Sequence, residues 1–147
     1  MKVKHLDHLN LSVRNFEESV DWYGRVFGFE LVEQDVQEGV RWGVIRSGEA
    51  MLCIYEHPER KPQNRWTLAD EARHGVAHFA LRISDADEWL GLARREGLRF
   101  HYGGEVTWPH SRSWYVEDPT GYEIEVVSWR TGTSDFTGRP LPEEVSS

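Results

Sequence analysis

Several features that commonly identify a class of protein are scarce in this sequence. It has a single cysteine, Cys53, so no disulfide can form within the chain, in keeping with a reducing compartment. No apolar run is long enough to cross a bilayer, and no apolar signal core follows Met1. Basic residues are outnumbered, with 17 Lys and Arg against 25 Asp and Glu, and they form no stripe. We therefore expect a cytoplasmic protein that binds neither nucleic acid nor membranes.

The remaining composition is that of one globular domain. The 147 residues are 39% hydrophobic and 29% charged, which is sufficient to bury a core. Seven tryptophans are many for this length, and packing in the core or in a dimer interface is their ordinary role. We expect this role for Trp22 and Trp89, which both lie in helical patterns. The domain is predicted to span residues 1–130, followed by a C-terminal tail at 131–147.

A strand–helix–three-strand pattern occupies the first part of the chain. Its first strand-like stretch alternates between apolar side chains and a polar face that carries His8 and Asn10. A helix follows, begun by Asn15 and ended by Gly28. This βαβββ module covers about residues 5–56, and its strand-like stretches are 5–13, 29–36, 39–46 and 50–56.

The same pattern returns after a linker at 57–74. The second module covers about residues 75–129, and its first strand presents His78 and Arg82 on one face. His78 lies 70 residues after His8 (78 − 8), at the equivalent place in its module. The elements predicted for this half of the chain are a short helix near 68–73, a helix begun by Ser84 or Asp85 and ended by Gly97, and strands at 98–102, 104–108, 112–117 and 122–129.

A tight turn at Asp118–Gly121 leads into the last predicted strand. Alternation in that strand places Glu123 and Glu125 on one face, and we expect Glu123 to be a solvated charge at the strand end. The imidazoles of His8 and His78 and a carboxylate from this strand are ligand types that divalent transition metals accept. If these three groups converge inside a curved sheet, they form an open metal site.

Three runs of residues resemble the vicinal oxygen chelate superfamily: His8–Val13, Trp22–Phe29 and Asp118–Glu125. That family includes glyoxalase I, type I extradiol dioxygenases, methylmalonyl-CoA epimerase, and the fosfomycin and bleomycin resistance proteins. The resemblance covers residues 5–129. It implies an α+β fold in which two βαβββ modules form a curved mixed sheet around a metal-binding cleft, and it implies a homodimer.

The resemblance also implies that His8, His78 and Glu125 bind one divalent metal ion per chain, which is Fe(II), Mn(II), Ni(II), Zn(II) or Co(II). The sequence leaves a possible fourth ligand open. Repeat spacing pairs Glu56 with Glu125 (125 − 56 = 69), whereas alignment of the preceding turns pairs Glu125 with Leu52 or the cysteine beside it. We favour three ligands.

Further residues are candidates for catalysis or substrate binding. Tyr115 precedes Glu125 by ten residues (125 − 115) and resembles the tyrosine of extradiol enzymes that contacts the metal-bound substrate. His110 lies in a loop where those enzymes place an acid–base histidine, but fewer residues separate it from Tyr115 than in their signature. The candidates for substrate binding are Asn10, Trp42, Arg82 and Trp114.

Three functions follow from this reading of the sequence. The first is a metal-dependent, dioxygenase-like enzyme that acts on a small, oxygen-chelating and aromatic substrate. The second is an isomerase or lyase of the glyoxalase or epimerase type, which would require Glu56 as ligand or base. The third is an antibiotic-binding protein of the bleomycin-resistance type without enzymatic activity. A fosfomycin-type thiol transferase ranks below these, because no basic cluster matches a phosphonate pocket.

Overall fold

The computed structural model describes residues 1–130 and confirms the α+β class with two βαβββ modules. The first module comprises β1 (Leu9–Val13), α1 (Phe16–Phe27), β2 (Glu30–Gln37), β3 (Val40–Ser47) and β4 (Ala50–Glu56). After a connection that contains α2 (Arg65–Asp70), the second comprises β5 (Phe79–Arg82), α3 (Ala86–Arg95), β6 (Val106–Thr107), β7 (Ser111–Glu117) and β8 (Glu123–Trp129). The predicted tail at 131–147 lies outside the described residues. None of the helices within residues 1–130 has the length and apolarity to span a membrane.

Each module forms its own four-stranded mixed sheet. The first sheet has the strand order β1-β4-β3-β2 and the second has the order β5-β8-β7-β6. In both sheets the first strand pairs in parallel with the last, and the other pairs are antiparallel. Within residues 1–130 no ladder joins the two sheets, so the single curved sheet that we expected is divided in two. The repeat in the sequence is therefore a repeat of topology.

The helices begin and end at residues with the expected capping chemistry. The side chain of Asn15 accepts a hydrogen bond from the backbone N–H of Glu18 at 2.9 Å. Gly28 ends α1 with φ of 67°, a left-handed conformation that glycine adopts without steric cost. Asp85 caps α3 in the same way by accepting the N–H of Glu88. These local signals place each helix directly after the first strand of its module.

One hydrophobic core joins the modules through their helices. The rings of Phe27 in α1 and Trp89 in α3 stack with centroids 5.4 Å apart. The hydroxyl of Tyr23 donates to Asp118 Oδ2 at 2.7 Å, which ties α1 to the turn before β8. Trp22 and Trp89 are 9% and 4% exposed, which confirms the core packing predicted for them. Each sheet therefore turns its helix-covered face to the shared core and its other face outward.

The predicted strand at 98–102 is wrong: residues 98–100 belong to no strand, and the chain turns at 101–104. Tyr102, Gly103 and Gly104 have φ values of 56°, 79° and 117°, and three successive left-handed residues cannot continue a strand. The turn leaves His101 and Tyr102 directed toward the second sheet, where both contact Glu123. The second module thus has three strands after its helix, as the first does.

Two predicted boundaries also shift. The first strand begins at Leu9 and not at residue 5, because its parallel ladder with β4 starts at the Leu9–Leu52 pair. The short helix predicted at 68–73 begins earlier, at Arg65. Its position is set by Asn64, whose side-chain oxygen accepts the backbone N–H of Trp66 at 3.1 Å.

Candidate metal centre

The candidate site lies on the outer faces of the sheets, which we define as the faces opposite the helices. Residues on the outer face of the first sheet include Asn10, Ser12, Trp42, Val44, Cys53 and Tyr55. Residues on the outer face of the second sheet include Ala80, Ser113, Tyr115, Glu123, Glu125 and Val127.

The second sheet brings two of the predicted metal ligands together. Pairing of β5 with β8 sets Ala80 opposite Glu125, and His78 lies just before β5 on the same face. His78 Nε2 is 3.0 Å from Glu125 Oε2. Two ligand atoms about 2.1 Å from one ion and at right angles to each other would be about 3.0 Å apart. The pair therefore fits two adjacent positions of a divalent metal site.

Neighbouring strands hold the Glu125 carboxylate in place. Ser113 Oγ donates to Glu125 Oε1 at 2.6 Å from β7. Tyr115 is directly opposite Glu125 in the ladder, and its ring lies edge-on to His78 with centroids 5.6 Å apart. Burial, and after it the negative charge of Glu125, raises the pKa of Tyr115. The phenol is therefore a neutral hydrogen-bond donor beside the histidine–carboxylate pair.

Glu123 is buried, and our expectation of a solvated charge is wrong. Its side chain is 2% exposed and forms an ion pair with Arg65 Nη2 at 3.2 Å. Its Oε2 accepts a hydrogen bond from Tyr102 at 2.7 Å and lies 2.9 Å from His101 Nδ1. Burial is the main cause that raises the pKa of Tyr102 to about 12. Sequence reasoning missed Arg65, His101 and Tyr102 because they come from the connection and a turn, where no periodicity marks a face.

His8 lies apart from this pair. It precedes β1 on the first sheet, where its Nδ1 contacts Asp7 Oδ2 at 2.7 Å, and its side chain is 43% exposed. Within residues 1–130 of one chain, no three His, Cys, Asp or Glu side chains are grouped so that they could hold a metal ion. One chain thus supplies His78 and Glu125 at one place and His8 at another.

The register of the sheets identifies the counterpart of Glu125 in the first module. Cys53 is opposite Asn10, two residues after His8, just as Glu125 is opposite the residue two after His78. Burial raises the pKa of the Cys53 thiol. Glu56 instead has a structural contact, since its Oε2 accepts the backbone N–H of Phe16 at 2.7 Å. A carboxylate is favourable at that helix N-terminus.

Two of the substrate-binding candidates share the outer face of the first sheet with His8. Trp42 stacks on Tyr55 across the β3–β4 pair, with ring centroids 6.2 Å apart and an interplanar angle of 22°. Asn10 is exposed on β1. This face therefore offers an amide two residues from His8 and a flat aromatic surface at the level of Ser12, four residues after His8.

The other candidates are placed differently. Arg82 ends β5, and its guanidinium lies 5.3 Å from the ring centroid of Trp129. His110 stacks on the same tryptophan, with centroids 6.5 Å apart, immediately before β7. Trp114 is 1% exposed and packs in the core. The structure does not bring His110 or Trp114 to the pair formed by His78 and Glu125.

Comparison with known proteins agrees with this fold. The family model of the Glyoxalase/Bleomycin resistance protein/Dioxygenase superfamily matches residues 5–126. A catechol-2,3-dioxygenase of Bacillus subtilis (strain 168) is 26% identical over 129 residues, which are 86% of this chain and 42% of that protein. The chain thus spans less than half the length of this relative. A lactoylglutathione lyase of Neisseria meningitidis serogroup A is 28% identical over 130 residues, which are 85% of this chain and 91% of the lyase.

Solved structures show the same architecture. A glyoxylase/bleomycin resistance protein/dioxygenase domain from Frankia sp. EAN1pec has a TM-score of 0.72 at 17% identity, and the match covers 90% of this chain and 96% of that one. A fosfomycin resistance protein from Listeria monocytogenes, in complex with Mn(II), has a TM-score of 0.68 at 16% identity, with 87% and 94% covered. From the family match and this fold, the chain belongs to the glyoxalase, bleomycin resistance protein and dioxygenase superfamily.

Proposed function

We propose that the protein is a divalent-metal-dependent enzyme in which His8, His78 and Glu125 hold the ion. The contact of 3.0 Å between His78 and Glu125, supported by Ser113 and Tyr115, carries this proposal. Two histidines and one carboxylate leave positions open for oxygen atoms of a substrate. The bound ion would supply Lewis acidity or activate dioxygen. Fe(II), Mn(II), Ni(II), Zn(II) and Co(II) all suit these ligands.

The site is proposed to form between two chains of a homodimer. In one chain α1 and α3 pack on each other, so the outer faces of the two sheets lie on the far sides of the shared core. His8 and His78 belong to different outer faces. A second chain can complete the ligand set if its first sheet covers the second sheet of its partner. Two-fold symmetry then produces two identical sites per dimer.

A dioxygenase-like reaction on a small aromatic substrate is the reaction that the residues support best. Tyr115 is positioned to donate to an oxygen atom held beside His78 and Glu125. In the proposed dimer the stacked Trp42 and Tyr55 rings would line the opposite wall of the cleft, where they suit a planar ligand. Residues that bind and orient the substrate are thus present, whereas His110 lies away from this site.

The second candidate is a lyase or isomerase. It is favoured by the comparison of lengths, because the chain covers 91% of the Neisseria lyase but 42% of the Bacillus dioxygenase. The contact of Glu56 with the N-terminus of α1 opposes this candidate, since that carboxylate would be needed in the site.

Subunit mixing tests the shared site. His8→Ala and Glu125→Ala chains, co-expressed with two different tags other than polyhistidine, can be purified as heterodimers. Each homodimeric variant should lose metal binding, because every site lacks one ligand. In the heterodimer, the intact His8 of one chain meets the intact His78 and Glu125 of the other. We expect about one ion per heterodimer, half of the wild-type content.

The matched control is the heterodimer of His78→Ala with Glu125→Ala. Both changes fall in the second module, so every site lacks a ligand and no metal should be recovered. If the first heterodimer also binds no metal, the site is not shared between chains. If the single variants keep their metal, the ligand set is wrong. Oxygen uptake by the Fe(II)-loaded dimer with catechol then separates a dioxygenase from a lyase or a binding protein.

A further inference from the structure

His78 is contacted at both ring nitrogens, and the contacts define which nitrogen carries the proton. Arg65 Nη2 lies 2.6 Å from His78 Nδ1. A guanidinium group has only donors, so Nδ1 must accept this hydrogen bond. The proton of the neutral ring is then on Nε2, which donates to Glu125 Oε2 at 3.0 Å. The hydrogen bonds therefore assign the Nε2–H tautomer to His78.

The 3.0 Å between Nε2 and Glu125 Oε2 suits two ligands of one ion, but while the proton is on Nε2 this contact is a hydrogen bond. In that tautomer Nε2 has no free lone pair for a metal ion, so the proton must leave Nε2 before His78 can ligate. When His78 ligates through Nε2, the ring proton must be on Nδ1. An Nδ1–H group would then face the Arg65 donor at 2.6 Å, and two donors cannot share a hydrogen bond. Arg65 must withdraw, and Nδ1–H needs an acceptor.

Glu123 has an oxygen atom in position to be that acceptor. Its Oε1 lies 3.7 Å from His78 Nδ1 and 3.2 Å from Arg65 Nη2, its ion-pair partner. It accepts no hydrogen bond among the described residues, so withdrawal of Arg65 leaves this oxygen open to His78. The second oxygen, Oε2, is fixed by Tyr102 and His101. A small rotation of the His78 ring would bring Nδ1–H within reach of Glu123 Oε1.

Arg65 has room to move. Its side chain is 34% exposed, and α2, on which it lies, is a helix of six residues. Its Nε is buried without a hydrogen-bond partner in the described part of the chain, so in its present position one N–H group of the guanidinium has no acceptor. An outward turn would take the guanidinium toward water and remove a positive charge from beside the metal ligands.

We propose that Arg65 and Glu123 set the tautomer of His78. Arg65 holds the Nε2–H form, which does not ligate, and Glu123 is the positioning residue that receives Nδ1–H when His78 ligates. This inference rests on the proposed function, since it takes His78 as a ligand. Arg65 thus lowers the affinity of the site for a metal ion, and Glu123 raises it.

Nitrogen-15 NMR of the histidines tests, without a metal, whether Arg65 holds His78 in the Nε2–H form. The metal-free wild-type protein should show the Nε2–H tautomer at His78. In Arg65→Met the donor to Nδ1 is gone, and the Nδ1–H tautomer directed at Glu123 should become populated. The Nδ1–H tautomer in the wild-type protein would overturn the inference.

Zn(II) titration tests whether Arg65 lowers, and Glu123 raises, the affinity of the site for a metal ion. Arg65→Met should bind Zn(II) about 10-fold more tightly than wild type. Glu123→Gln should bind it about 10-fold more weakly, because the uncharged amide oxygen is a weaker acceptor for Nδ1–H than the carboxylate is. Arg94→Met, at an exposed position of α3, removes the same charge and should leave the affinity within about 2-fold. Thermal unfolding of each variant verifies that it is folded.

The outcomes separate this inference from the proposed function. If wild type binds one Zn(II) per chain but Arg65→Met and Glu123→Gln match it, the inference fails and the metal site stands. An equal gain in Arg65→Met and Arg94→Met also overturns it, because charge alone would explain the effect. If neither wild type nor any variant binds Zn(II), the proposed metal site fails together with the inference.

Discussion

Glu125→Gln is expected to lower the affinity for a divalent metal ion by more than about 100-fold while the domain stays folded. Loss of a partner outside the ligand set already costs about 10–100-fold, and this change removes the only anionic ligand of the proposed set. The amide keeps the shape of the side chain, and its oxygen can still accept the hydrogen bond from Ser113. Metal analysis of the purified protein and thermal unfolding measure the two effects.

Glu56→Gln is the matched control and should behave in the opposite way. The change removes a negative charge at the N-terminus of α1, where a carboxylate is worth about 0.3–1 kcal/mol of stability. Metal content should equal that of wild type. Loss of metal in the Glu56 variant would instead indicate four ligands and favour the lyase or isomerase reaction. Normal metal content in the Glu125 variant would exclude the ligand set proposed here.

Asp118→Ala should cause the largest loss of stability, about 3–5 kcal/mol in the free energy of unfolding. The reason is that the change leaves several buried hydrogen-bond donors without an acceptor. The side chain is 4% exposed. Its Oδ1 accepts three backbone N–H groups of the turn, each at 2.9 Å, and Oδ2 accepts the hydroxyl of Tyr23. The variant disrupts both the turn before β8 and the link between the modules.

Asp118→Asn separates the role of the oxygen atoms from the role of the charge. Burial raises the pKa of Asp118 despite its hydrogen bonds, so the ionised carboxylate carries a desolvation cost that the amide avoids. The amide oxygen can still accept the three backbone N–H groups, and only the Tyr23 hydroxyl loses its acceptor. We expect a loss of about 1–2 kcal/mol, measured by urea unfolding. Equal losses in both variants would show that the turn does not depend on the oxygen atoms.

The sequence by itself determined the architecture of each module. Strand alternation placed Glu123 and Glu125 on one face, and Asn15 and Gly28 delimited the first helix, as the structure confirms. These signals are local, because side-chain alternation and helix capping depend on residues a few positions apart. The family resemblance, which the family match confirms, rests on these same local runs.

The tertiary structure decided which side chains meet. For the counterpart of Glu125, repeat spacing favoured Glu56 and alignment of the turns favoured Leu52 or Cys53, and the strand register selects Cys53. The burial of Glu123 by Arg65, and the separation of His8 from His78, could not be predicted from spacing. Contacts from turns and connections carry no periodicity, and the direction of an outer face depends on how the helices of the two modules pack. Strand faces were thus fixed by local sequence, whereas the site they form depends on packing between modules.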